Sequence, residues 1–207
     1  GVNGTIHAVA VSGSNVYVGG SFTIGGNVNA TNIAWWNGTN WSALATNMTR
    51  QFGTPIVKAI AVVNEDVYVG GNFTSINGTS FTNLARWNGG GWFAVGGGVG
   101  TGSHLVNSLT LFDGDLFVGG SFTTAGSVNA QNIARWNGVN WFPLGNGTGS
   151  TVQCLASNGG YLYAGGFFTT VDGQNANRIA RWDGANWFAI EPDIDPSSTG
   201  AANAAEP

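Results

Sequence analysis

Charge is what this chain has least of: 8% of its 207 residues are Asp, Glu, Lys or Arg, against about 25% in an ordinary soluble domain. Six Lys and Arg stand against ten Asp and Glu, a formal net charge of −4. No basic face is available to neutralise a phosphate backbone, so nucleic acid is not an expected partner. No apolar run approaches the ~18 residues a membrane-crossing helix needs, and no membrane span is expected. Gly1–Gly4 has neither a basic n-region nor an apolar h-region; if the protein is secreted, its leader has been removed or the chain begins inside a longer one. The single Cys154 cannot form an internal disulfide and says nothing about redox compartment. His7 and His104 are the only histidines. Neither has a partner at metal-ligand spacing, so no metal or other cofactor is expected.

Glycine is abundant, at 35 residues, with 9 Trp and 12 Phe. Hydrophobic residues make up 43%, enough for a core, which excludes general disorder. The glycines and aromatics recur at a fixed period. GGSFT at Gly19–Thr23 returns at Gly70–Thr74, Gly119–Thr123 and Gly165–Thr169, with Asn or Phe in the variable third place. NIAWWNG at Asn32–Gly38 returns as NLARWNG from Asn83, NIARWNG from Asn132 and RIARWDG from Arg178. Both series step by 51, 49 and 46 residues, which defines four units, about 1–52, 53–102, 103–150 and 151–190.

Each unit reads as four short strands. An apolar first strand (Ile6–Val11, Val57–Val62, Val106–Leu111, Val152–Ala156) runs into a tight Asn/Asp/Gly turn. The second ends in the doublet Gly19–Gly20, Gly70–Gly71, Gly119–Gly120 or Gly165–Gly166. A Thr/Gly/Asn-rich loop leads to a third strand bearing Trp36, Trp87, Trp136 or Trp182. An N-G or D-G turn opens the fourth at Trp41, Trp92, Trp141 or Trp187. Apolar spacing never follows 3.6, and glycine is too frequent for helix interiors. Four-stranded antiparallel sheets at this period predict an all-β fold of β-propeller blades. The doublets let neighbouring blades approach, and the Trp columns supply apolar area between them.

The glycine doublet followed by a downstream aromatic resembles the kelch repeat. The fuller wording is similar to the repeats of the fungal cortical cell-polarity marker family and of related secreted bacterial and protist proteins, across roughly residues 1–190. The resemblance implies an extracellular or cell-surface propeller without known catalysis. Trp35 in place of Arg, Arg178 in place of Asn and Asp183 in place of Asn depart from the pattern. Kelch-type copper radical oxidases need a Cys–Tyr crosslink and several histidines, which two histidines do not supply.

Four blades is the lower limit for a closed propeller. Three arrangements remain: a four-bladed ring, a piece of a larger ring, or an open stack completed by another copy. The favoured expectation is a segment of a larger assembly, through self-association or adjoining domains of a longer chain, because unclosed blades expose apolar faces and Glu191–Pro207 reads as a linker.

Asn-X-Ser/Thr sequons occur at Asn3, Asn29, Asn37, Asn40, Asn47, Asn72, Asn77 and Asn146, seven of them in the first two units. On so weakly charged a chain they suggest a glycoprotein whose sugars do the solubilising. Asn72, beside a doublet, is the most enclosed. In strand one, His7, Lys58, Asn107 and Gln153 form a polar column expected to wet the central channel. Cys154 aligns with Ala8, Ala59 and Ser108 and is expected to be an inert buried thiol. Arg86, Arg135 and Arg181 each precede a Trp and are expected to stack on aromatic faces and bond backbone carbonyls. The carboxylates read as solvated turn residues rather than a glycosidase pair. The function expected is a non-enzymatic structural or adhesive extracellular protein. The alternative is a lectin-like module with sugars on Trp41, Trp92, Trp141 and Trp187.

Overall fold

The computed structural model describes residues 1–102, 104–158 and 160–190; the expected linker at 191–207 lies outside them. Four antiparallel four-stranded sheets follow one another, with neighbouring strands consecutive within each. From inside to outside, blade one comprises Thr5–Ser12, Asn15–Ser21, Ile33–Trp36 and Trp41–Ala43. Blade two comprises Val57–Val63, Asp66–Gly71, Leu84–Trp87 and Trp92–Ala94. Leu105–Phe112, Asp115–Ser121, Ile133–Trp136 and Trp141–Pro143 build blade three. Blade four is Val152–Asn158, Tyr161–Gly166, Ile179–Trp182 and Trp187–Ala189. The innermost strand of each blade packs on that of the next, so these strands line a common axis. The fold is all-β and propeller-bladed.

Turn chemistry sets the registers. Asn64–Glu65 and Asp113–Gly114 both have positive φ at two consecutive residues, the two-residue turn whose twist matches its flanking strands. Tight turns with positive φ at one or both central residues also appear where the sequence suggested only a loop. Each unit carries a small second hairpin there, closed by Gly26, Asn77–Gly78, Gly126 or Asp172–Gly173. Across the outer pair of strands the two Trp columns meet: Trp36–Trp41, Trp87–Trp92, Trp136–Trp141 and Trp182–Trp187 have ring centroids 5.7, 5.5, 5.1 and 5.4 Å apart.

The two glycines of each doublet do different work. A Cβ on Gly19, Gly70 or Gly119 would lie within 3.0 Å of Val57, Val106 or Val152 in the next blade. A Cβ on Gly20, Gly71, Gly120 or Gly166 would instead strike the backbone carbonyl of Thr5, Ile56, Leu105 or Thr151 in its own blade. There the inner strand slips register by one residue in every blade. Only the first glycine therefore admits the neighbour; the second accommodates the bulge.

Three joints follow one plan. Val57, Val106 and Val152, fully buried at 0% exposure, enter the slots of Gly19, Gly70 and Gly119. Around them close Tyr17 and Ile33, Tyr68 and Leu84, and Phe117 and Ile133 of the preceding blade. The indole N–H of Trp92 donates to the Leu44 carbonyl at 2.9 Å, Trp141 to Gly96 at 3.1 Å and Trp187 to Leu144 at 3.1 Å. The motif asparagines hold the incoming link: Asn32, Asn83 and Asn132 sit at positive φ and donate to the carbonyls of Pro55, Val99 and Thr148. In unit four Arg178 takes this left-handed position and no such link is held among the described residues.

The arc does not close on itself. On blade one Ile6 and Val9, the counterparts of Val57 and Ile60, are 44% and 58% exposed. On blade four Ile179, the counterpart of fully buried Ile33, Leu84 and Ile133, is 41% exposed. Among the described residues, only its own blade's Cys154 thiol and Arg178 carbonyl lie around the Gly165 slot.

Gly119→Ala should therefore lower stability by about 1–3 kcal/mol, as over-packing does, whereas Gly165→Ala should cost the isolated chain much less. Urea unfolding of the two variants checks this; equal losses would refute the division between filled and open slots.

Candidate functional site

The inner column places His7 and Gln153 in the open and Lys58 and Asn107 half-buried. Burial first, then the Lys58 charge, holds the His7 imidazole below its ordinary value. Asn107 does more than wet a wall, since its side-chain amide donates to the Val152 carbonyl of blade four at 2.9 Å. His104 sits in the blade two–three link, its Nδ1 accepting from the Thr101 N–H at 3.1 Å.

Higher on each blade the arginines lie over aromatic rings. Arg86 is 5.3 Å from the Phe93 centroid, Arg135 4.5 Å from Phe142, and Arg181 4.7 and 5.5 Å from Tyr161 and Phe188. The stacking expectation holds, but carboxylates rather than backbone carbonyls receive two of the guanidiniums. Arg86 pairs with Asp66 at 2.7 Å and Arg135 with Asp115 at 3.5 Å, both partly exposed. These two aspartates are not merely solvated turn residues: each opens the second strand, on the side from which the Arg of the third strand reaches across. Such exposed pairs contribute ~0–1 kcal/mol each.

Unit one departs from this ladder at three positions together. Trp35 replaces the Arg, Asn15 the Asp, and Ser42 the Phe. The cleft between blades one and two opens as a groove of about 580 Å³. Tyr17 and Trp35 stack along it, 6.2 Å apart and 17° from parallel. Asn15, Ser12, Glu65 and Asn88 supply polar atoms around that aromatic wall. Sequence alignment shows the three substitutions singly; that Asn15 and Trp35 line one groove is visible only in the fold.

The aromatic residues expected to contact sugars occupy another place. Trp141 and Trp187 are buried, Trp41 and Trp92 half-buried, and three of the four donate their indole N–H to the preceding blade. Trp36, Trp87, Trp136 and Trp182 pack against them. Of the sequon asparagines, Asn3, Asn29, Asn37, Asn40, Asn47, Asn77 and Asn146 are exposed. Asn72 is buried and accepts from the Ile56 N–H at 2.6 Å. The side-chain amides of Asn3 and Asn146 are already donated to Thr23 and Asp172. Cys154 is exposed, not buried as expected, because its side chain lies on the blade-four face that no further blade covers.

Among the described residues no cluster of three His, Cys, Asp or Glu side chains is arranged to hold a metal ion, and no helix is long and apolar enough to cross a membrane.

A family model described as a beta-propeller domain of unknown function (DUF5122) matches residues 160–182, the second strand through the third strand of blade four. Among solved structures, the computationally designed Ika4 protein is similar at 15% identity and a TM-score of 0.50, over 88% of this chain and 92% of that one. The computationally designed Ika8 protein has 16% identity and a TM-score of 0.48, over 86% of this chain and 58% of that one. No curated protein matches. The Ika4 likeness bears on fold alone; with the family description it agrees with the propeller-bladed architecture.

Burial raises the Tyr68 phenol above its ordinary value of 10.0; Arg86 opposes the rise and Asp66 adds to it. A phenol raised on folding contributes stability that is complete below the unfolded pKa and is lost as pH climbs through the folded one. Tyr68→Phe should flatten the alkaline loss of stability. The difference in phenolate absorbance between wild type and variant should titrate above pH 10; a midpoint at or below it would count against this burial.

Proposed function

We propose that this chain is a non-enzymatic extracellular or cell-surface glycoprotein, a structural or adhesive scaffold that works by association between propeller blades. The observation that carries the reading is the set of seven exposed sequon asparagines on a chain with 8% charged residues. The resemblance of its repeats to the fungal cortical cell-polarity marker family and to secreted kelch-like proteins supports the same reading. Sugars in the turns would keep the chain soluble where ionised side chains are scarce. They are compatible with stacked blades: Asn129, which occupies the position of Asn29 in an interior blade, is exposed although both faces of that blade are covered. Secretion from a eukaryotic host should give an intact mass above 21.3 kDa that falls back on glycosidase treatment. Asn37→Gln and Asn77→Gln should each remove one glycan increment and Asn72→Gln none. A mass of 21.3 kDa before treatment would overturn the glycoprotein reading.

A second reading, lectin-like binding, is favoured by the groove beside Trp35. Stacked aromatic faces suit the apolar face of a pyranose, and asparagine and glutamate side chains suit its hydroxyls. On this reading a saccharide series should quench tryptophan fluorescence, with the quenching lost in Trp35→Ala and retained in Trp92→Phe. A flat response to every sugar would remove it.

A further inference from the structure

The two ends of the arc are the two halves of a joint that the chain already makes three times. We infer that the partner of the open blade-four face is the blade-one face of a second copy of this chain, joined head to tail. The inference rests on the associating-scaffold reading above and names its partner and contact residues.

Position by position the halves correspond. The Gly165 slot lacks its incoming branched side chain, and Ile6 stands where Val57, Val106 and Val152 stand in the filled joints. Val9 would follow Ile6 as Leu155 follows Val152 over Gly119. Tyr163 and Ile179 form the wall that Tyr17 and Ile33 form in blade one. The Trp41 indole N–H has no acceptor among the described residues, while Ile190 occupies the position of Leu44 and Leu144, which accept from Trp92 and Trp187. Ser108 accepts the Leu155 N–H at 2.9 Å across the third joint. Cys154 holds that place in blade four, so Val9 of the second copy would cover it.

Like ends cannot pair, because knob would meet knob and slot would meet slot. The contact is therefore heterologous, and such contacts close into rings when the rotation permits. Because one arc leaves its ends apart, a ring of arcs holds a multiple of four blades. Eight, from two copies, is the multiple that falls within the usual range of about four to eight. A second copy fits better than a covalently joined fifth blade. The asparagine that ties each incoming link in units one to three is Arg178 in unit four.

Native mass of the intact chain should show two copies. Ile6→Asp and Ile179→Asp, both at exposed positions in the single arc, should each reduce it to one copy while leaving the circular dichroism of the blades unchanged. Mixing the two variants should restore a two-copy species, since the intact head of one meets the intact tail of the other. The Cys154 thiol should react with a thiol reagent in either variant and be protected in wild type. A wild type of one copy at every concentration sinks both this inference and association itself. Multimers that survive both substitutions, or variants that fail to complement, sink the head-to-tail joint and leave association standing.

Discussion

A branched side chain filling the space that a missing Cβ leaves in the blade before it is the constraint from which the rest of this structure follows. Val57, Val106 and Val152 can enter only because Gly19, Gly70 and Gly119 carry no side chain. Once entered, they bring the inner strands together and set each blade's angle to the next. The rings of Tyr17, Tyr68 and Phe117 then close over them from the side. A branched side chain taken fully out of water contributes about 1.5–3 kcal/mol, which makes each joint the main stabilising element of an arc whose ion pairs are few and exposed. The outer Trp pairs complete the joint, with an indole N–H reaching back to a backbone carbonyl of the preceding blade.

Much of this was legible in the sequence because the repeat is strict. Two motifs at a common offset fix the number of blades, the strand order, and the positions where glycine and tryptophan must recur. N-G and D-G pairs mark turns wherever they occur, and Asn77–Gly78 and Asp172–Gly173 would have revealed the small hairpins inside the expected loop. What the sequence could not supply was which glycine of a doublet faces which strand, since both have the same neighbours along the chain. The fate of Cys154 was misjudged for a related reason. Alignment with Ala8, Ala59 and Ser108 assumes four equivalent environments, and blade four has an uncovered face. Arg86 and Arg135 found Asp66 and Asp115 because opposite strands place these residues on one side, a relation between distant positions that periodicity alone does not display.

The same repetition separates architecture from specificity. Positions shared by all units build joints. Positions at which one unit differs are free to do something else: Trp35 and Asn15 line a groove, and Arg178 releases a link. In a repeat protein, exceptions to the period are therefore the better guide to binding surfaces, whereas the invariant tryptophans are committed to packing.

Joints this alike carry no address, and during folding a blade could dock onto the wrong neighbour, a hazard common to tandem arrays. The connections resolve it. The fourth strands end at Ala43, Ala94 and Pro143, and the next inner strands begin at Val57, Leu105 and Val152. Tethers that short give the adjacent blade a far higher local concentration than any remote one. Order along the arc is thus enforced by the leash between units, while the surfaces themselves remain interchangeable.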